Sequence, residues 1–252
     1  MIALDEDEFL EDCLRSVAGV VDEIVVGVDN RTIDHTAAIA KTFGAIVIHF
    51  GWEDSFAVAR NEVLECAHGD WILMLDADER LLPEGAQFIK QVLAIAPDLS
   101  PNLHGFSMLV QNTDLQGKPI NCFPATARLF RRMPNMRYVG RIHEEPLWGP
   151  NPALTTVRVA LMGPPHIQHL GYDPIIMERR AKNARDSHLL LMRLKDDPKD
   201  AVALYYMALM ARDEGLTGIS AYFARRALEC GSQTLHSDRI PELENLMKER
   251  VA

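Results

Sequence analysis

Five apolar residues in a row, Trp71-Ile72-Leu73-Met74-Leu75, have the length of a buried strand and run straight into Asp76-Ala77-Asp78-Glu79. Shorter apolar runs at 1–4, 24–28 and 45–49 read as strands as well. Between them the period changes. Phe9, Leu10, Cys13, Leu14 and Val17 fall on one face of a helix over 5–17. A second helix starts at Asp34-His35-Thr36, where Asp34 suits a cap, and stops at Gly44. A third, capped by Ser55, runs to about residue 67, and Gly69 ends it. Short strands alternating with helices of this length predict an α/β fold with a parallel, doubly wound sheet and right-handed crossovers.

After Asp78 the pattern is different. A helix over 84–95 leads into strands over 105–111 and 120–131, joined by a segment rich in turn formers, so this pair is antiparallel. Extended chain at 138–143 and 157–162 continues a mixed sheet. From Pro174 onward the pattern is helical only, which divides the chain into 1–172 and a helical tail, 173–252. In the tail, Pro198 precedes Tyr205, Ala208, Gly215, Ala221, Tyr222, Ala227 and Leu228, spaced as in one tetratricopeptide unit. One such unit cannot bury its own face, so it is either a helical cap or a platform for a protein partner or acceptor.

Composition narrows the partners. In 252 residues, 26 basic against 36 acidic side chains give a formal charge of −10, which disfavours nucleic acid and anionic lipid. An anionic nucleotide therefore needs a local cation or arginines. Cys13, Cys66, Cys122 and Cys230 form no Cys-x-x-Cys pair, so neither zinc nor a disulfide framework is indicated and a cytoplasmic location is expected. The longest apolar stretch, 201–211, is too short to span a bilayer, and the acidic N-terminus is not that of a signal peptide, so no transmembrane segment is expected.

The chemistry concentrates at residues 76–79. Two carboxylates one residue apart, at the carboxyl end of a strand, sit where open α/β sheets bind ligands. Hard oxygen donors suit Mg²⁺ or Mn²⁺, ions usually shared with substrate phosphates. No Gly-x-Gly-x-x-Gly or P-loop follows the first strand, and no Gly-x-Ser-x-Gly elbow is present. These absences count against a dehydrogenase, a P-loop enzyme and a hydrolase triad.

Further motifs join the acid pair: Met1-Ile2-Ala3 followed by acidic residues, Cys13-Leu14-Arg15-Ser16-Val17, Val21-Asp22-Glu23-Ile24-Val25-Val26, Asp29 through Thr36, Ala59-Arg60-Asn61 and Gly69-Asp70-Trp71. They continue with Arg128-Leu129-Phe130-Arg131, Gly140-Arg141-Ile142-His143-Glu144 and His169-Leu170-Gly171-Tyr172. Together these pieces make the chain resemble a family-2 glycosyltransferase of GT-A fold, in the subgroup with a C-terminal tetratricopeptide-like tail. The resemblance implies a GT-A mixed sheet flanked by helices, followed by an all-helical segment. It also implies metal-dependent, inverting transfer from a nucleotide sugar, a UDP-sugar above others, to a hydroxyl of a glycan, a lipid-linked sugar or a protein.

It further implies roles for single residues. Ala3, Leu4, Asp29, Arg60 and Asp76 would line the nucleotide, with Asp29 accepting a base N–H, since a carboxylate is acceptor-only at neutral pH. Asp78 and His169 would hold Mn²⁺ or Mg²⁺, with the order of Asp76 and Asp78 open and His166 a rival. Glu144 would be the base, with Glu145 as the spare. Arg128, Arg131, Arg132, Arg137 and Arg141 form a basic run whose members could face phosphate or acceptor. The chain departs from the family pattern at Leu4-Asp5-Glu6 and at Asn30-Arg31-Thr32-Ile33, both at the nucleoside edge. The competing class is a nucleotide-binding or scaffold protein whose transfer site has decayed.

Overall fold

The computed structural model describes residues 1–99, 103–148, 163–231, 235 and 239–248, so the strand expected at 157–162 lies outside the described residues. The chain packs into two units, one of residues 1–139 and 144–180, the other of residues 140–143 and 181–252.

The first unit opens with β1 (Ile2–Ala3), α1 (Asp7–Val17), β2 (Val25–Asp29), α2 (Thr36–Thr42), β3 (Ile46–Phe50) and α3 (Phe56–Glu65), the predicted alternation. The strands pair in parallel in the order β1-β2-β3, with Ala3 opposite Val28 and Asp29 opposite Phe50. The carboxyl ends of β1 and β2 therefore share one edge. Helix α1 buries Phe9, Leu10, Cys13, Leu14 and Val17, the face its periodicity marks. Leu14 is fully buried, and truncating such a leucine to alanine costs ~2–5 kcal/mol. The Ser55 hydroxyl caps α3 by accepting from Val58 N–H at 3.3 Å. Asp34 Oδ1 accepts from Thr36 N–H at 2.8 Å in an Asx turn just ahead of α2, so Asp34 lies one residue before His35, which holds the cap position expected for it.

The acid-bearing strand departs from expectation. β4 (Trp71–Leu73) is shorter than predicted and does not extend the parallel ladder; it pairs antiparallel with β7 (Pro119–Arg131), Trp71 opposite Arg131. An apolar run shows that a strand is buried, not which strand it pairs with. The remaining elements of this unit are β5 (Glu79–Leu81), α4 (Pro83–Ile95), β6 (Gly105–Thr113), β8 (Met136–Val139), β9 (Glu145–Trp148), β10 (Ile167–His169) and α5 (Pro174–Arg179). Among the described residues the second sheet runs β4-β7-β6-β10-β5, mixed because β10 is parallel to β6 and antiparallel to β5. Its core gathers Leu75, Leu81, Ile89, Val92, Met108, Val110, Leu129 and Ile167. A mixed sheet flanked by helices, followed among the described residues by helices alone, is the GT-A arrangement that the resemblance implies.

The second unit contains α6 (Lys182–Asp196), α7 (Ala201–Asp213), α8 (Thr217–Cys230) and α9 (Ile240–Lys248). Ala208, Ala224 and Ala227 are fully buried between α7 and α8, small enough to let the helices approach closely. Ser220 Oγ donates to Ala208 O at 2.9 Å, and Tyr205 OH donates to Glu242 Oε2 at 2.6 Å. Within the same unit Arg141 Nε donates to Asp196 Oδ2 at 2.7 Å. Among the described residues no helix is long and apolar enough to cross a membrane.

Candidate functional site

Past β4 the chain turns through Asp76-Ala77-Asp78 and enters β5 at Glu79. The turn is closed twice: Glu79 N–H donates to Asp76 O at 3.0 Å, and Asp76 N–H donates to Glu79 Oε2 at 2.9 Å. Glu79 is fully buried and receives Arg128 Nη2 at 2.7 Å. Burial pushes its carboxyl up to about 7, against the pull of Arg128. Glu79 and Arg128 thus brace the loop that presents the two aspartates.

Asp76 meets Arg60. Arg60 Nη2 donates to Asp76 Oδ1 at 2.8 Å, while Arg60 Nε donates to Glu144 Oε1 at 2.5 Å. One guanidinium, 10% exposed, therefore bridges the acid loop and the expected base. Burial alone would raise the Asp76 carboxyl, but Arg60 and Arg128 outweigh it and hold the group well below the usual carboxylate range. Burial would likewise lower Arg60, and Asp76 and Glu144 together raise it well above its ordinary value.

Asp78 has two partners. Its Oδ2 accepts from Arg180 Nη1 at 2.6 Å, and its Oδ1 lies 3.5 Å from His169 Nε2. Burial opposes its charge, but the His169 contact and then Arg180 prevail and depress the carboxyl. Arg180 Nη2 also donates to Glu6 Oε2 at 2.5 Å, so two acids share one guanidinium. Burial, reinforced by the Asp78 charge and opposed by Arg180, pushes Glu6 up to about 8.

The residues at Asp78 fit a divalent cation. His169 Nδ1 is 2.8 Å from Asn112 Oδ1, and Asn112 Nδ2 in turn donates to Asn121 Oδ1 at 2.7 Å. The Nδ1 hydrogen goes to Asn112, the outer-shell arrangement usual for a ligating histidine, and Nε2 faces the carboxylate as a donor whose proton an ion would replace. Gly171 leaves the adjacent space open, since a Cβ there would lie 2.4 Å from Asp78 Oδ2 and 2.7 Å from His169 Nε2. Among the described residues no three His, Cys, Asp or Glu side chains converge on one point. Further ligands would have to be water and phosphate, as is common for Mg²⁺.

At the nucleoside edge Ala3 is buried in β1 and Leu4, just beyond it, is 40% exposed. Asp29 ends β2, is 2% exposed, and is gripped by Arg31 through Nε at 3.0 Å and Nη2 at 2.6 Å. Burial works against its charge, but the Arg31 bonds depress the carboxyl below its ordinary value.

Other candidates lie elsewhere. His166 Nδ1 accepts from Leu109 N–H at 3.1 Å and the ring stacks on Phe88, a structural histidine in this setting. Glu145 opens β9 opposite Val139, while the bond to Arg60 goes through Glu144. The basic run does not form one phosphate-facing row. Arg128 reaches the acid loop, whereas Arg131 donates to Ala96 O and Arg132 to Gly69 O. Sequence reasoning missed Asn112 and Arg180, and it marked Glu6 and Arg31 only as departures from the family pattern at the nucleoside edge, with no role beside the acids. An acid two residues before an arginine in a turn was a readable signal for Arg31; the other three meet the site only through tertiary contacts. A cleft of about 460 Å³ lined by Val17, Asp22, Phe43 and Gly44 sits at the amino ends of β2 and β3, the opposite edge from the aspartates.

Comparison with known proteins agrees with the first-unit reading. Residues 1–96 match the family model described as Glycosyl transferase family 2. A TPR repeat-containing protein of Synechococcus elongatus is 32% identical over 243 residues, covering 92% of this chain and 56% of that protein. The SPbeta prophage-derived glycosyltransferase SunS of Bacillus subtilis is 27% identical over 221 residues, covering 85% of this chain and 50% of SunS. The chain thus spans about half the length of these relatives. Among solved structures, S. aureus TarS aligns over 98% of this chain and 52% of its own, at 13% identity and a TM-score of 0.49.

Proposed function

We propose, on the premise that residues 1–96 belong to glycosyl transferase family 2, that this chain moves a sugar from a nucleotide donor to an acceptor hydroxyl with inversion at the anomeric carbon. The observation that carries the reading is the Arg60 bridge, which puts Glu144 and Asp76 on one guanidinium. That junction supports a transfer site in which the base and the nucleotide end are held relative to each other. Glu144 uses Oε1 for Arg60, leaving Oε2 to take the hydroxyl proton as the acceptor oxygen bonds to the anomeric carbon. The bond from that carbon to the donor phosphate breaks, and its electron pair leaves with the nucleoside diphosphate.

Asp78 and His169 are the residues that would hold Mg²⁺ or Mn²⁺. When bound, such an ion neutralises charge on the departing diphosphate. Asp29, an acceptor at the end of β2, supports a base with an N–H on its edge and hence a UDP-sugar. Tyr205, Ala208 and Ala227 of the α7–α8 pair support a tetratricopeptide-like partner or acceptor platform in the tail. The widely scattered cysteines of the sequence are the ground on which a cytoplasmic setting is proposed. The test is a thermal-shift panel of nucleotides and nucleotide sugars, with and without Mn²⁺. Stabilisation by a uridine nucleotide only when the metal is present is the expected result. No shift with any nucleotide would overturn the reading. Nucleotide binding without sugar transfer to any acceptor, glycan, lipid-linked or protein, would favour the decayed alternative.

A further inference from the structure

Asp29 is the acceptor that the proposed function gives to the nucleobase, yet its carboxylate already accepts three N–H groups from Arg31. They are the backbone N–H at 2.9 Å, Nε–H at 3.0 Å, both on Oδ1, and Nη2–H at 2.6 Å on Oδ2. The fold-back is set locally. Thr32 N–H donates to Asp29 O at 2.9 Å, closing a four-residue turn, and the Arg31 N–H bond to Oδ1 is an Asx turn inside it. The guanidinium then lies over the Trp52 ring, 5.4 Å from its centroid.

The two ends of the pair differ in exposure. The Asp29 side chain is 2% exposed and the Arg31 side chain 54%. A base N–H that binds the buried carboxylate competes with Arg31 for it, and the exposed guanidinium has room to swing into water when displaced. Thr32 Oγ1, next in the turn, is buried and without a hydrogen-bond partner among the described residues, a polar group left for an incoming ligand.

We infer that Arg31 is a specificity-determining gate at the nucleoside end: it stands in for the base N–H on Asp29, and a uridine nucleotide binds by displacing it. The inference rests on the nucleotide-transfer reading above. The gate taxes every nucleotide by the free energy of a charge-assisted, bidentate pair, and the tax is refunded only to a base whose own N–H replaces the guanidinium on Asp29.

Titration calorimetry of the full chain with UDP in Mn²⁺ buffer tests it, using wild type, Arg31→Ser and Arg31→Lys. Arg31→Ser should bind UDP roughly tenfold tighter and Arg31→Lys should fall between, because lysine cannot make the fork. In wild type, UDP should also change the Trp52 environment, read as a fluorescence shift that Arg31→Ser lacks. If wild type binds UDP and both variants bind it equally or more weakly, Arg31 is no gate and instead reads or ignores the ligand. If UDP binds with Arg31 still on Asp29 in a crystal, the gate is overturned directly. If none of the three proteins binds any nucleotide, the transfer reading falls and the gate falls with it.

Discussion

Arg60 donates from Nε to Glu144 Oε1 and from Nη2 to Asp76 Oδ1, so Glu144 is tied to the acid loop through one buried side chain. The two acids are 68 residues apart in the chain, and the junction depends on α3 carrying Arg60 between them. Asn61, the next residue on α3, secures the other side: its Oδ1 accepts from Tyr138 N–H at 2.7 Å and its Nδ2 donates to Tyr138 O at 3.0 Å. That pair anchors β8, the strand leading toward Glu144.

Replacing Glu144 by Gln keeps the shape and an acceptor for Arg60 Nε but removes the base. Sugar transfer should fall by roughly 10²–10⁴ while donor affinity changes less than about threefold. Parallel steady-state kinetics and calorimetry check this. An equal loss of affinity and turnover would assign Glu144 to structure.

Asp78→Ala removes one of the two residues proposed for the ion and leaves Arg180 to Glu6. Donor binding should lose its dependence on Mn²⁺, and EDTA treatment of wild type should reproduce the loss of turnover. The same dependence on Mn²⁺ in wild type and Asp78→Ala, measured by calorimetry with and without the metal, would contradict the assignment.

Arg60→Ala leaves Asp76 and Glu144 without their shared partner. Arg128, 3.6 Å from Asp76 Oδ2, and the partial exposure of Asp76 soften the cost, so a loss of about 2 kcal/mol in urea unfolding is expected rather than that of a fully buried orphan. Arg60→Lys should recover part of the stability and little of the turnover, since an ammonium cannot hold both acids in the fork geometry.

Glu6 gives a pH signature. Its carboxyl is raised to about 8 in the folded chain, chiefly by burial, against 4.5 as its ordinary value. The native state therefore binds this proton more tightly than the unfolded state. Its contribution to stability is complete below about 4.5 and is lost as pH rises through about 8. Between pH 5 and 8.5 wild type should lose at least about 1 kcal/mol relative to Glu6→Gln, measured by urea unfolding at each pH. A pH-independent difference would contradict it.

The first three parallel strands, the α1 face and the Ser55 cap were legible because each is written in local periodicity or one capping residue. The acid pair was legible for the same reason, as charge following an apolar run. What stayed hidden was pairing. Nothing near Trp71 specifies β7 as its neighbour, and β5 and β10 are each three residues long, too short to show a period. Asp78 and Arg180 are 102 residues apart and meet only once β10 and α5 are in place. His169 and His166 look alike in sequence; the structure separates them because alternate residues of the chain entering β10 face opposite ways, one ring toward Asp78 and the other packed on Phe88.

The most direct measurement is a crystal of the full chain grown with UDP and Mn²⁺. The account predicts the base on Asp29 with Arg31 displaced, the diphosphate beside Asp76, and the ion on Asp78 and His169 with Arg180 released or shared. A nucleotide bound at another edge of the sheet, or these aspartates still closed on Arg60 and Arg180 with no ion between Asp78 and His169, would contradict it.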